Sequence, residues 1–322
     1  MAMPTLLGPG GQRTKTGRKD LEKADTQHNK WFYILLAAPG IIWLALLFLV
    51  PFYDMIAIAF GRVNFLTQSP VAVYNPLNWS HATLVSTWHD IFGVGAFQLP
   101  IIWRTIWYTA VASGICLLIG YPVAYFVARF APPRRKVLIL VLLIAPFWIS
   151  YMMRMLAWID LLQTNGYVNK ILSSVGLPAN TNWLGGHWYT VVFGLVYGYI
   201  PYLILVLYAG LDRIDGSLLE AGRDLGLNRA STFLRVTFPL SRQPILTGLL
   251  ITVLPMLGDY FTNQLLSGAR NTAMIGNVIQ GQLGANGFQG RGAVLSLLIL
   301  IVLIVPMAWY VRATARSARE AS

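Results

Sequence analysis

Residues Glu220 to Pro239 read EAGRDLGLNRASTFLRVTFP, and they separate two long apolar segments. Arg223, Arg229 and Arg235 keep this stretch out of lipid, where a charged side chain is costly. Ser217-Leu218-Leu219-Glu220 has the spacing of a capping box. In that motif the serine hydroxyl accepts from the amide at Glu220, and the glutamate reaches back to the amide of Ser217. The spacing therefore predicts a helix from about Leu218. It runs barely two turns to Gly226, which can take the left-handed conformation that stops a helix. Asn228 is placed to cap a second helix, running to about Phe238 ahead of Pro239. The expected element is a helix, a sharp corner and a second helix at a membrane surface. A rigid, protruding corner suits the transmission of a push from a soluble partner.

The flanking segments set the fold class. The chain has 322 residues, of which 56% are hydrophobic and 11% charged. A soluble domain carries about 25% charged residues, so the deficit argues for membrane. The apolar residues fall in runs near 31–54, 102–127, 137–159, 189–211, 244–261 and 293–312. A helix needs about 20 apolar residues to cross a bilayer. We read an all-α integral membrane protein of six spans, the fifth being the shortest and most interrupted.

The net charge of +12 would suggest nucleic acid on a soluble protein. Here its placement has another cause. Membrane orientation follows the lysine and arginine content of short loops. With the N-terminus inside, the inside segments hold eighteen basic residues: six in 1–30, four in 128–136, five in 212–243 and three in 312–322. The other six are Arg62, Arg104, Arg154, Lys170, Arg270 and Arg291. This asymmetry fits an even number of spans with both termini cytoplasmic. The basic loops mark topology, and no nucleic acid is expected.

Cys116 is the single cysteine, so no disulfide forms within the chain. Residues 1–30 are polar, charged and without periodicity, and are expected to be a disordered cytoplasmic N-terminus. The six-span domain is placed at 31–312 and a cytoplasmic tail at 313–322. The first apolar run is too long for the core of a signal peptide and reads as an uncleaved span.

Every expected span contains a proline: Pro39, Pro122, Pro146, Pro201, Pro255 and Pro306. Proline frees a carbonyl and kinks a helix, and neighbours in a bundle can satisfy the freed group. Pro255 stands just before Gly258 and Asp259. A broken helix carrying a charge is a common way to build a transporter site. The polar, glycine-rich stretch 262–291 predicts a short helix near Ala273–Gln282.

The stretch from Glu220 resembles the cytoplasmic loop of permease subunits of ATP-binding-cassette importers. That family's pattern is Glu-Ala-Ala, three residues, Gly, nine residues, Ile, one residue, Leu-Pro. Glu220, Ala221, Gly226 and Pro239 match it at the right spacing, while Gly222, Val236 and Phe238 replace the Ala, Ile and Leu. Gly222 should loosen the helix by up to about 1 kcal/mol relative to Ala. The resemblance extends over most of 31–312. Gly120-Tyr121-Pro122-Val123-Ala124-Tyr125 looks like the spermidine/putrescine permeases. So do Pro146-Phe147-Trp148-Ile149-Ser150-Tyr151 (continuing through Arg154 and Ala157-Trp158), Gly166-Tyr167-Val168-Asn169 and Leu257-Gly258-Asp259-Tyr260.

The resemblance implies a six-helix type I importer permease bundle. Its coupling helix, between spans four and five, docks into an ATPase subunit through Glu220, Ala221, Gly222, Arg223, Asp224, Gly226 and Pro239. It also implies the partners: a second homologous permease subunit, two ATPase subunits and an extracytoplasmic solute-binding protein, all at the bacterial inner membrane. No cofactor is expected on this chain itself; ATP and magnesium act through the partner ATPase. The sequence has no Gly-x-x-x-x-Gly-Lys-Ser/Thr phosphate loop and no Gly-x-Ser-x-Gly nucleophile elbow. The four histidines show no metal-ligand spacing. The chain therefore reads as a transport subunit and not an enzyme.

Four residues are candidates for the substrate path: Asp259, Tyr260, Trp158 and Asp160. Asp259 lies fifteen positions beyond Pro244, roughly 22 Å along a straight helix, and it is also placed to cap the next helix. Tyr260 and Trp158 offer aromatic faces, which attract ammonium groups by about 0.5–2 kcal/mol. Asp160 sits near the outer end of span three, where an outer-rim role competes with a ligand role. Arg154 stands four residues before Trp158, a spacing suited to stacking on it. Import of polyamines by alternating access is the leading reading. The alternatives are the same machine for another small organic solute, such as a phosphonate, or a non-transporting membrane scaffold or receptor.

Overall fold

The computed structural model describes residues 15–64, 70–93, 97–177 and 181–320. The chain divides into two units at Met55. The first is the part of helix α1 (Lys15–Ala59) up to that residue. From Phe32 to Phe52 it is apolar on every face, the pattern of a helix surrounded by apolar material. Helix extends back over 15–30, where none was expected; residues 1–14 lie outside the described residues. Lysine, glutamate, leucine and alanine are good helix formers, and elongating an existing helix avoids the cost of nucleation.

The second unit begins with the end of α1 and a two-residue antiparallel ladder, β1 (Arg62–Val63) on β2 (Pro70–Val71), with Arg62 opposite Val71. Then follow α2 (Ala82–Phe92), α3 (Gln98–Arg129), α4 (Pro133–Ile144), α5 (Tyr151–Leu162), α6 (Tyr167–Ser174) and α7 (Trp188–Asp212). A run of short elements comes next: α8 (Gly216–Asp224), α9 (Arg229–Thr232) and α10 (Phe238–Leu240). The chain closes with α11 (Arg242–Gly258), α12 (Phe261–Leu266), α13 (Ile275–Gly284) and α14 (Gln289–Glu320). The short helix expected near 273–282 is α13.

Among the described residues, four helices are long and apolar enough to cross a membrane: Phe32–Ala59, Gln98–Arg129, Trp188–Asp212 and Gln289–Arg312. The count reaches six only when each of two bent pairs is one span. Pro133–Trp148 meets Tyr151–Ser174 at 86°, and Arg229–Leu240 meets Arg242–Gly258 at 58°. The continuous helix expected over 137–159 is therefore two pieces. Ala145–Trp148 is a 3-10 turn around Pro146, and Ile149 and Ser150 are extended at ψ 135° and 140°. At Pro146 the expected kink is a full break. Pro122, Pro201, Pro255 and Pro306 stay inside their helices.

α3 and α7 form the core. Along α3, Tyr108, Ala112, Cys116, Gly120, Ala124 and Ala128 recur at every fourth position, and all are buried. Small residues on one stripe let membrane helices approach closely, which is where packing attraction is gained in lipid. α7 fills the approach with Leu195, Leu203, Leu207 and Leu211, and Met256 of α11 joins them.

Two basic side chains fasten the ends of these helices. Arg129 Nη2 donates to the carbonyls of Leu211 and Ile214, each at 2.9 Å. Lys136 Nζ donates to Ala128 O and to Asp212 Oδ1, both at 2.8 Å. Cations at helix C-termini satisfy carbonyls that have no partner within the helix. The basic loops thus also act as ties where α7 hands over to α8.

Candidate functional site

The corner expected around Gly226 is present, and its start is set two residues earlier than the sequence suggested. Asp215, not Ser217, caps α8: its Oδ1 accepts from the Ser217 amide at 3.0 Å. Aspartate and serine cap equally well, and here the turn leaving α7 brings Asp215 to the helix end. That amide, and then the Ser217 side chain, hold the Asp215 carboxyl below the usual carboxylate range.

The helix ends in a Schellman motif. Gly226 has φ +86°. Its amide donates to Arg223 O at 2.8 Å, and the Leu227 amide donates to Gly222 O at 3.1 Å. Leu227 then folds over Gly222, as the motif's apolar contact requires. A Cβ on Gly222 would meet Leu227 Cδ1, Thr232 Cγ2 and Val236 Cγ2 at 3.6 Å, ordinary contact. The site therefore has room for the alanine that the importer pattern carries there. Asn228 caps the second arm by accepting from the Ser231 amide at 2.8 Å.

The second arm is not one regular helix. α9 passes into a π-helical turn, Phe233–Thr237, before α10. Such turns interrupt α-helices often at functional positions. The turn puts Phe233 edge-on to Tyr125 at 5.3 Å and to Tyr121 at 5.9 Å. Tyr121 OH also pairs with Ser241 Oγ at 2.9 Å. The corner is thereby anchored to α3. Glu220, Ala221, Arg223 and Asp224 face solvent, Gly222 faces inward, and Pro239 is half-buried in α10. Leu225, at the tip, is 85% exposed, which leaves a leucine in water unless a partner covers it.

The second site lies where α11 breaks. A cavity of about 360 Å³ is lined by Tyr151, Arg154, Gly198, Tyr199, Asp259 and Tyr260, among others. Asp259 ends α11 in an extended conformation, φ −68° and ψ 122°. Its Oδ1 accepts from the Thr262 amide at 3.0 Å, so it caps the start of α12. Its Oδ2 accepts from Thr262 Oγ1 at 2.6 Å and from the hydroxyls of Tyr151 and Tyr199, each at 3.3 Å. Oδ1 thus has one donor and Oδ2 has three, more than the two lone pairs of a single carboxylate oxygen. Asp259 is 7% exposed. It caps a helix and lines a cavity at once.

Tyr260 lines the same cavity and stacks on Phe261, with ring centroids 4.3 Å apart. Trp158 and Asp160 do not line it. Trp158 packs edge-on to Phe193 at 4.6 Å and to Tyr197 at 5.3 Å, and Asp160 is exposed. Nor does Arg154 stack on Trp158 as its spacing suggested. Helical side chains lean toward the N-terminus, so Arg154 turns back over Phe147 at 4.3 Å and Tyr151 at 5.3 Å, and lies 5.8 Å from the Tyr197 centroid. Tyr199, Thr262 and Gly198 carried no signal in the sequence, because their part arises from helix packing.

Residues 117–320 match the family of binding-protein-dependent transport system inner membrane components. The chain is 30% identical over 279 residues to the spermidine/putrescine transport system permease protein PotB of Haemophilus influenzae, covering 86% of this chain and 93% of that protein. It is 35% identical over 204 residues to PotB of Escherichia coli, covering 63% and 74%. A solved chain of a bacterial alginate ABC transporter, in complex with an alginate pentasaccharide-bound periplasmic protein, superposes with a TM-score of 0.68. That match has 18% identity and covers 91% of this chain and 96% of the other. It is a likeness of fold.

Proposed function

The chain belongs to the binding-protein-dependent transport system inner membrane components, and from that premise we propose that it is a permease subunit of an ATP-driven polyamine importer. It is a multi-pass transport subunit of the inner membrane, and ATP is hydrolysed by a separate ATPase. Both termini are placed on the cytoplasmic side, as the distribution of lysine and arginine favours. A second, similar permease completes the path, two ATPase subunits bind ATP and magnesium below, and a solute-binding protein delivers substrate from outside.

ATP closes the ATPase pair, and the corner carrying Glu220, Ala221, Arg223, Asp224, Gly226 and the exposed Leu225 moves with it. Gly222 holds the corner's inner side and Pro239 its exit. The Schellman turn makes the corner stiff, and the Tyr121–Ser241 and Tyr125–Phe233 contacts pass the displacement to α3. The breaks at Ile149–Ser150 and at Gly258–Asp259 are where the spans can re-pack without bending a continuous helix.

One observation carries the substrate class: likeness over most of the chain to permeases named for spermidine and putrescine. The Asp259 cavity agrees with it. An ammonium group entering there meets a carboxylate with aromatic rings beside it, at Tyr151, Tyr199 and Tyr260, and such rings attract cations. The two tyrosine bonds to Asp259 are its longest, so an ammonium group takes their place with the least loss. Trp158 and Asp160 lie outside this first contact.

The test is uptake of radiolabelled spermidine and putrescine by cells lacking this chain and then re-expressing it with its transporter partners. Loss and rescue support the reading. Unchanged uptake, with the ATPase still co-purifying, moves the importer to another small organic solute. Failure of any ATPase to co-purify returns the chain to a scaffold role.

A further inference from the structure

Arg154 is a buried guanidinium inside an apolar bundle, 7% exposed. Its Nε and Nη1 are buried and have no hydrogen-bond partner. The ion pairs Lys136–Asp212 and Arg291–Asp90 do not involve it. A charge at membrane depth is costly enough that it marks a function, and a buried charge without a partner is costlier still. Aromatic faces stabilise it in part: Phe147 on one side of the 86° break, Tyr151 on the other.

Its position gives the charge a consequence. Arg154 lines the cavity that holds Asp259. Tyr151 lies between them, its ring under the guanidinium and its hydroxyl donating to Asp259 Oδ2 at 3.3 Å. The cavity thus contains one carboxylate and one guanidinium that do not form an ion pair. A direct ion pair would close the carboxylate to a substrate. A carboxylate with no opposing charge beside it would hold a polycation too tightly to release it. Transit through a membrane requires binding strong enough to enter and weak enough to leave.

We propose that Arg154 is a specificity-determining residue whose fixed positive charge offsets Asp259, making the cavity a weak transit site for cations and not a trap. This rests on the polyamine reading above. The guanidinium acts across the cavity on the substrate ammonium and forms no bond to it. Its stack on Phe147 and Tyr151 keeps it from swinging over to Asp259.

The test is initial-rate spermidine uptake by the complete transporter in cells, comparing wild type with Arg154→Gln, Arg154→Met and Arg154→Lys. Quantities of assembled complex in the membrane are matched by immunoblot. Removal of the charge in the Gln and Met variants should lower KM on the order of tenfold, the scale of one charge acting across a small cavity. The maximal rate should fall as well, because release slows. Lys keeps the charge and should hold KM near the wild-type value.

A higher KM in the Gln and Met variants would overturn the proposal and make Arg154 a contact for an acceptor on the solute. Unchanged KM in all three would overturn it too. Equal loss of assembled complex in all three, Lys included, would make Arg154 a pin for the 86° break and also overturn it. Wild type that fails to take up spermidine sinks the polyamine reading itself, whereas normal wild-type uptake with unchanged variants sinks this inference alone.

Discussion

The ring of Tyr151 lies against the bare backbone of Gly198: a Cβ there would come within 2.9 Å of Tyr151 Cε2 and 3.0 Å of its hydroxyl. Tyr151 is one of the three residues that donate to Asp259. A glycine on α7 therefore sets where a tyrosine on α5 can stand, and through it the shape of the cavity.

Gly198→Ala should displace Tyr151 and lengthen or break its bond to Asp259. We expect spermidine uptake to fall while the complex still assembles, since overpacking by one methyl costs about 1–3 kcal/mol. Uptake kinetics on membranes with matched amounts of complex check this. Normal kinetics would mean that Tyr151 adapts.

Gly226→Ala forces a side chain into left-handed backbone, at a cost of about 1–2 kcal/mol. Gly226→Pro is harsher. It demands a negative φ where the chain has +86° and removes the amide that donates to Arg223 O. Both should reduce the coupling of ATP hydrolysis to uptake, the Pro variant most, with membrane insertion intact. ATPase activity and uptake measured on one preparation decide it; wild-type uptake by the Pro variant would remove the corner from the coupling path.

Gly222→Ala should do the opposite. The added methyl meets its neighbours at 3.6 Å, and helix propensity improves by up to about 1 kcal/mol. Slower amide exchange over α8 in the assembled transporter, with uptake retained, is the expected result.

Asp215→Ala should fray the start of α8, and Ser217→Ala should leave it in place, because the cap is the Asp215 carboxylate. Its pKa is depressed in the folded chain by the Ser217 amide. The cap is therefore complete at neutral pH and weakens only as pH falls through that lowered value. Hydrogen exchange at the first amides of α8, compared between the two variants, tests the assignment.

Asp259→Asn keeps a side-chain oxygen for the Thr262 amide but removes the charge. Hydrogen bonds to charged groups are worth about 1.5–3 kcal/mol, so cation uptake should fall by about tenfold or more. Co-purification of the ATPase should not change. Unaltered uptake would leave Asp259 with its capping role alone.

The corner at Gly226 and the broken span at Asp259 were legible in the sequence because both rest on local rules. Left-handed backbone favours glycine, an asparagine caps the helix that follows, and a charge inside an apolar run demands a partner. Long apolar runs and the placement of lysine and arginine likewise dictate a membrane bundle, since lipid cannot hydrogen-bond a backbone. The tertiary structure decided what depends on which surfaces meet. The helix–helix approach of α5 and α7 put Tyr151 and Tyr199 on Asp259 and left Trp158 elsewhere. The turn leaving α7 chose Asp215 over Ser217 as the cap, and the lean of helical side chains carried Arg154 back to Phe147. Spacing along one helix sets which side chains share a face, but only packing between helices sets what that face touches.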